Sequence, residues 1–137
     1  MAIRSKLALW VLVAILVALA GGWIWGASGR RDLDRRLRET ELRYQLAEAR
    51  RLMLQARVDL YNVNFGDASR HLEAAKVPLR GAIARLGDLD RTQDTAGASE
   101  ALARVEEAQR LAGGLDQTAN ARVAEGLKAL EEIAGAQ

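Results

Sequence analysis

Apolar residues along this chain fall into two regimes. From Leu7 to Trp25 they run without interruption by any ionisable side chain, LALWVLVAILVALAGGWIW, and the next charge is Arg30. As a helix this run covers roughly 28 Å, close to a bilayer core of about 30 Å. A single helix is the only one-segment backbone that satisfies itself in hydrocarbon. From Arg30 onward the apolar residues return instead at helical intervals. Leu42, Leu46, Ala49, Met53, Ala56, Leu60 and Val63 alternate spacings of four and three, the period of a buried helical seam. Tyr44, Ala47, Leu54, Val58 and Tyr61 form a second, weaker stripe on the same helix. Two apolar stripes predict a helix covered on two faces, central in a bundle.

The punctuation between stripes sets the other elements. Asn64-Phe65-Gly66-Asp67 reads as a turn, with Gly66 free to take φ > 0 and Asp67 as N-cap. Ala68, Leu72, Ala75, Leu79, Ala82 and Leu86 mark the next helix. Its stripe keeps phase across Pro78, so one helix to about Gly87 is expected despite the lost hydrogen bond. Residues 88–97 read as a polar loop. Ala98, Leu102, Val105, Ala108 and Ala112 form a third stripe that Gly113-Gly114 ends. Asp116 is placed to cap a fourth helix, carrying Ala119, Val123, Leu127, Leu130 and Ala134.

The expected fold class is therefore all-α: a single N-terminal transmembrane helix, then a small antiparallel bundle or coiled-coil hairpin of about four helices. The expected divisions are a basic tail at 1–6, an anchor at 7–25 and, at 26–29, a small-residue hinge or a continuation of the helix. Residues 30–137 form the bundle, with hairpins at 30–87 and 98–134 around the loop 88–97.

Charge narrows the function classes. Arg4 and Lys6 precede the span, and residues 30–137 are formally neutral. A nucleic-acid binder shows a basic excess in its folded part, so no nucleic-acid partner is expected. Residues 30–85 nevertheless hold 13 basic and 8 acidic side chains, whereas 86–137 hold 5 and 10. The opposite halves can fold against each other, or the membrane-proximal half can lean on anionic lipid. There is no cysteine, which excludes disulfides, thiolate metal sites and a thiol nucleophile. Arg outnumbers Lys 17 to 3 and Ala is abundant, a usage found in GC-rich bacterial genomes.

The same N-terminus has the parts of a cleavable signal: Arg4 and Lys6, an apolar run, and Ala18-Leu19-Ala20 as an A-x-A site. The run continues past that site to Trp25, and Trp10, Trp23 and Trp25 sit where interfacial aromatics belong. These features point to an uncleaved anchor in the bacterial inner membrane, with secretion after cleavage as the alternative. Six arginines between Arg30 and Arg43 favour a cytoplasmic domain, whereas a short basic N-tail favours export. The expectation leans to the outer, periplasmic face.

Residues Tyr61 to Ala75 resemble half of a tetratricopeptide repeat. Phe65, Ala68, Leu72 and Ala75 fall where that family places its turn aromatic, small, large and second small residue. Asp59 stands where the family has an aromatic, and no second copy follows at a 34-residue period. The resemblance implies a protein-binding helical surface.

Candidate chemistry is sparse. His71 is the only histidine, with Asp67 and Glu73 nearby in sequence. Glu106-Glu107 and Glu131-Glu132 are adjacent pairs, whose side chains diverge by about 100° on a helix. No phosphate loop, dinucleotide fingerprint, zinc-protease motif or nucleophile elbow is present. No catalytic, cofactor-binding or metal residue is expected, and the chain does not read as an enzyme. Two association surfaces stand out instead. Ala14, Ala18, Gly22 and Gly26 recur every four residues, and small residues let membrane helices approach closely. Arg43, Arg50 and Arg57 recur every seven. With Leu42 at d they occupy e positions facing Arg38, Gln45 and Leu52 at g. A parallel self-zipper along that seam gains no ion pair and sets Arg38 against Arg43. The stripe suits an acidic partner, either residues 86–137 or another protein. The chain thus reads as a membrane-anchored adaptor, scaffold or accessory subunit in an envelope assembly, with a coiled-coil spacer self-associating through its span as the alternative.

Overall fold

The computed structural model describes residues 2–135, with side chains at all of these except 2–9, 11, 12, 19–31, 134 and 135. Among the described residues the backbone forms four helices and no strand: α1 (Ala2–Tyr61), α2 (Phe65–Asp88), α3 (Thr92–Gly113) and α4 (Ala119–Gly135). The chain divides into two compact units, Met1–Glu39 and Thr40–Gln137.

The first unit is helical. Residues 26–29 continue α1 and form no hinge, because the segment lacks proline and its two glycines only weaken a helix. Trp10, Val13, Ile15, Leu16, Val17, Leu33 and Leu37 are exposed. Arg36 pairs with Asp32 at 3.1 Å and Arg35 with Glu39 at 3.4 Å, each one turn away. Among the described residues no helix is long and apolar enough to cross a membrane. The anchor expected at 7–25 therefore gains no support there. The side chains of 7–9, 11, 12 and 19–25 lie outside the described residues.

The second unit is an antiparallel four-helix arrangement. Arg50 meets Glu131 and Arg57 meets Asn120, joining α1 to α4 in opposite directions. His71 meets Asp59 across α1 and α2. Arg80 reaches Glu106 from α2 to α3, and Arg104 and Arg122 reach Glu125 and Glu107 across α3 and α4. Each helix touches two neighbours and the order closes, the up-down-up-down topology that short connections favour.

The stripes read from sequence point into this core. Leu42, Ala49, Leu52, Met53, Ala56 and Leu60 are buried on α1, and all six expected positions are buried on α2. Ala98, Val105, Ala108 and Ala112 are buried on α3 together with Ala101, while the expected Leu102 is only half-buried, and Ala119, Val123, Leu127, Ala129, Leu130 and Ile133 are buried on α4. Ala134 lies outside the described side chains. Among the described residues none that is buried is polar or charged, so removal of apolar surface from water drives the packing. Alanine dominates α3, which lets its neighbours approach closely.

Three expectations change. The loop 88–97 contracts to residues 89–91, because α3 begins at Thr92. Leu46 is only half-buried and Val63 is exposed in the turn. The second stripe of α1 is not covered: Tyr44, Ala47, Leu54, Val58 and Tyr61 are all exposed. A helix at the corner of a four-helix square has neighbours on two sides and an outward face, and α1 holds such a corner.

The turns also differ in detail. Asn64, not Asp67, caps α2: its Oδ1 accepts from the Asp67 amide at 3.3 Å, and its Nδ2 donates back to Asp67 Oδ2 at 2.6 Å. The left-handed residue there is Val63, with φ 61°, and Asp90 and Leu115 repeat that conformation at the other two connections. Each turn closes with an amide bonding five residues back: Asn64 to Asp59, Arg91 to Leu86 and Asp116 to Leu111. This is the Schellman C-cap, formed with no glycine at its left-handed position.

Candidate functional site

The arginine stripe is the best-positioned of the candidate surfaces. On α1 the three residues share one edge, flanking the buried Met53 and Leu60 seam. Arg50 Nη2 donates to Glu131 Oε1 of α4 at 2.9 Å, with both side chains about half exposed. Arg57 Nε donates to Asn120 Oδ1 at 2.9 Å, half-buried. Arg43 is exposed, and among the described residues it has no ion-pair partner. The structure thus brings two of the three to the C-terminal hairpin, and residues 86–137 supply part of their partner. Beyond Arg57 the edge opens into a shallow groove lined by Leu54, Arg57, Val58, Tyr61 and Asn120.

Of the candidate membrane face, Ala14 and Ala18 are exposed on α1, and the side-chain positions of Gly22 and Gly26 lie outside the described residues.

His71 has a partner that its sequence neighbours do not reveal. Its Nδ1 lies 2.6 Å from Asp59 Oδ2, joining the C-terminal turn of α1 to α2, with both side chains half-buried. Asp59 is the position that departs from the repeat pattern. Its polarity beside a turn was the one available signal, and only the hairpin geometry pairs it with His71.

Several other ionisable groups join neighbouring helices. Glu106 faces Arg80 on α2, whereas its neighbour Glu107 faces Arg122 on α4, as divergence on a helix requires. Glu131 meets Arg50 while Glu132 is exposed. Lys76 is largely buried, donates to Gln109 at 2.9 Å and pairs with Glu73, and Gln109 bonds Glu73 at 2.7 Å. The Lys76 and Gln109 bonds hold the Glu73 carboxyl below its ordinary pKa. Hydrogen bonds from Arg70, then Asn64, lower Asp67, and the Thr118 amide and hydroxyl lower Asp116. The Arg51 hydrogen bond lowers Glu48.

Among the described residues no group of three His, Asp or Glu side chains converges on a point where a metal ion would sit. Glu48, Glu73, Glu106, Glu107 and Glu131 each face a cation, and Asp67 and Asp116 accept from nearby amides. The chain matches no protein-family model, no curated protein and no solved structure.

Proposed function

We propose that this chain is a membrane-anchored α-helical scaffold or adaptor that works through protein contact in a bacterial envelope assembly. The observation that carries the reading is the outward face of α1. The bundle closes its core on four helices yet leaves Tyr44, Leu54, Val58 and Tyr61 exposed along one stripe. Contiguous exposed apolar surface is a mark of interaction sites. The uncharged run from Leu7 to Trp25 supplies the anchor in this reading, and tethering raises the local concentration of the face it carries. A short basic N-tail kept inside directs the bundle to the periplasmic side of the inner membrane.

Two measurements test the proposal. The full-length chain is expected to stay in the membrane pellet through a carbonate wash, and a free mature form starting at Gly21 would reject the anchor. A photo-crosslinker at Leu54 or Tyr61 in native membranes is expected to trap a polypeptide. A chain that captures none there is not an adaptor through this face.

A further inference from the structure

We infer that the outward face of α1 binds a second copy of this chain, as a parallel coiled coil over residues 40–61. This inference rests on reading that face as a protein-association surface and names its occupant.

On its own heptad the outward stripe places Tyr44, Arg51 and Val58 at a, and Thr40, Ala47, Leu54 and Tyr61 at d. The axis of this stripe lies roughly 160° around the helix from the buried seam. A partner can therefore dock without displacing α2 or α4. Tyr44, Leu54, Val58 and Tyr61 are 65%, 44%, 60% and 82% exposed.

Charge then selects the occupant. In this register Arg43, Arg50 and Arg57 occupy g, while Glu41, Glu48 and Gln55 occupy e. A parallel pair sets each g against the e of the next heptad in the other helix. Arg43 then faces Glu48 of the second copy, while Arg50, which pairs with Glu131 of its own α4, lies opposite Gln55. By two-fold symmetry each contact forms twice. An antiparallel pair would set the arginine edges against each other. The buried seam has no such complementarity, since it opposes Arg38 and Arg43. Only the outward register makes this helix its own partner.

Arg51 at a is the costly position. Its guanidinium is already held on its own helix, donating to both Glu48 oxygens at 2.8 and 2.6 Å and to Gln55 at 3.0 Å. The Glu48 carboxylate is then shared between this guanidinium and Arg43 of the second copy. A lone polar a residue lowers stability while fixing register and oligomer state.

The chain contains no cysteine, so single cysteines report proximity directly. Ala47→Cys and Leu54→Cys are made in the full-length chain, with Val77→Cys on the exposed side of α2 as reference, and oxidised in native membranes. Parallel pairing puts each d residue beside its own copy, within reach of a disulfide. Disulfide-linked homodimers are expected at 47 and 54, severalfold above 77. Arg43→Glu should reduce the Ala47→Cys dimer severalfold by setting it against Glu48 of the other copy, and Arg43→Lys should retain it. Equal crosslinking at all three positions, or an Arg43→Glu variant that crosslinks at 47 as well as the parent, overturns the parallel pair. Capture of a different polypeptide at 47 and 54 without homodimer overturns the second copy but leaves the association reading. Absence of any crosslink at either position rejects both.

Discussion

The Met53 side chain of α1 fills the space that a side chain on Gly126 of α4 would occupy. A Cβ built on Gly126 would lie 2.9 Å from Met53 Cε, 3.2 Å from Arg104 Cβ and 3.3 Å from the Ala101 carbonyl oxygen. The methionine end can swing aside, but the α3 backbone cannot. Gly126→Val is therefore expected to destabilise the bundle by about 2 kcal/mol through overpacking. Gly126→Ala should cost less, because its better helix propensity returns up to about 1 kcal/mol. Chemical denaturation checks the order; equal midpoints for Gly126→Val and the parent would show that α1, α3 and α4 do not meet there.

Burial separates neighbouring positions on α2. Leu79 is fully buried, whereas Val77 is 72% exposed. Leu79→Asp should cost about 3 kcal/mol or more, since it buries a charge with no partner. Val77→Asp should stay within about 0.5 kcal/mol of the parent. Met53→Asp, at a fully buried site of α1, should behave like Leu79→Asp. Comparable losses at 77 and 79 in thermal melts would contradict this placement of α2.

The connections hold removable strain. Val63 and Leu115 adopt φ 61° and 58° without being glycine. The left-handed conformation costs an L-residue roughly 1–2 kcal/mol, more for a β-branched side chain. Both side chains are exposed, so little packing is lost on truncation. Val63→Gly is expected to stabilise the fold by up to about 1 kcal/mol after the added flexibility of the unfolded chain is counted. Leu115→Gly should give a smaller gain. A lowered melting temperature for Val63→Gly would reject the Schellman geometry at that turn.

Acid should loosen the bundle in a defined window. Asp67, Asp116, Glu48 and Glu73 all have folded-state pKa values below their ordinary ones, through hydrogen bonds made by the ionised form. A depressed carboxylate contributes stability that is present above its unfolded pKa and lost as pH falls through the folded value. Stability from these groups should be level above about pH 5 and decline below about pH 4. Asp116→Asn keeps an acceptor for the Thr118 amide but cannot titrate. That variant should show a shallower acid decline than the parent, and an unchanged decline would remove Asp116 from the set.

Sequence alone determined the number of helices in the bundle and most of the residues that line their core. The four-three spacing of Leu72, Leu79 and Leu86 with their intervening alanines specifies one buried face, because a helix repeats every 3.6 residues whatever surrounds it. That period also carried α2 through Pro78, since the stripe kept phase across the missing amide. Sequence could not decide which apolar face of α1 finds cover. Leu42–Leu60 and Tyr44–Tyr61 share the same period, and only the positions of α2 and α4 bury the first and leave the second outside. The connection between α2 and α3 was equally hidden: the polar residues 92–97 form helix because Ala98 and Ala101 behind them are packed. Local propensity is weak enough for such packing to override it. Contacts such as Asp59 with His71 and Arg57 with Asn120 join residues far apart in sequence. They depend on where the turns place each helix, and tertiary structure alone decided them.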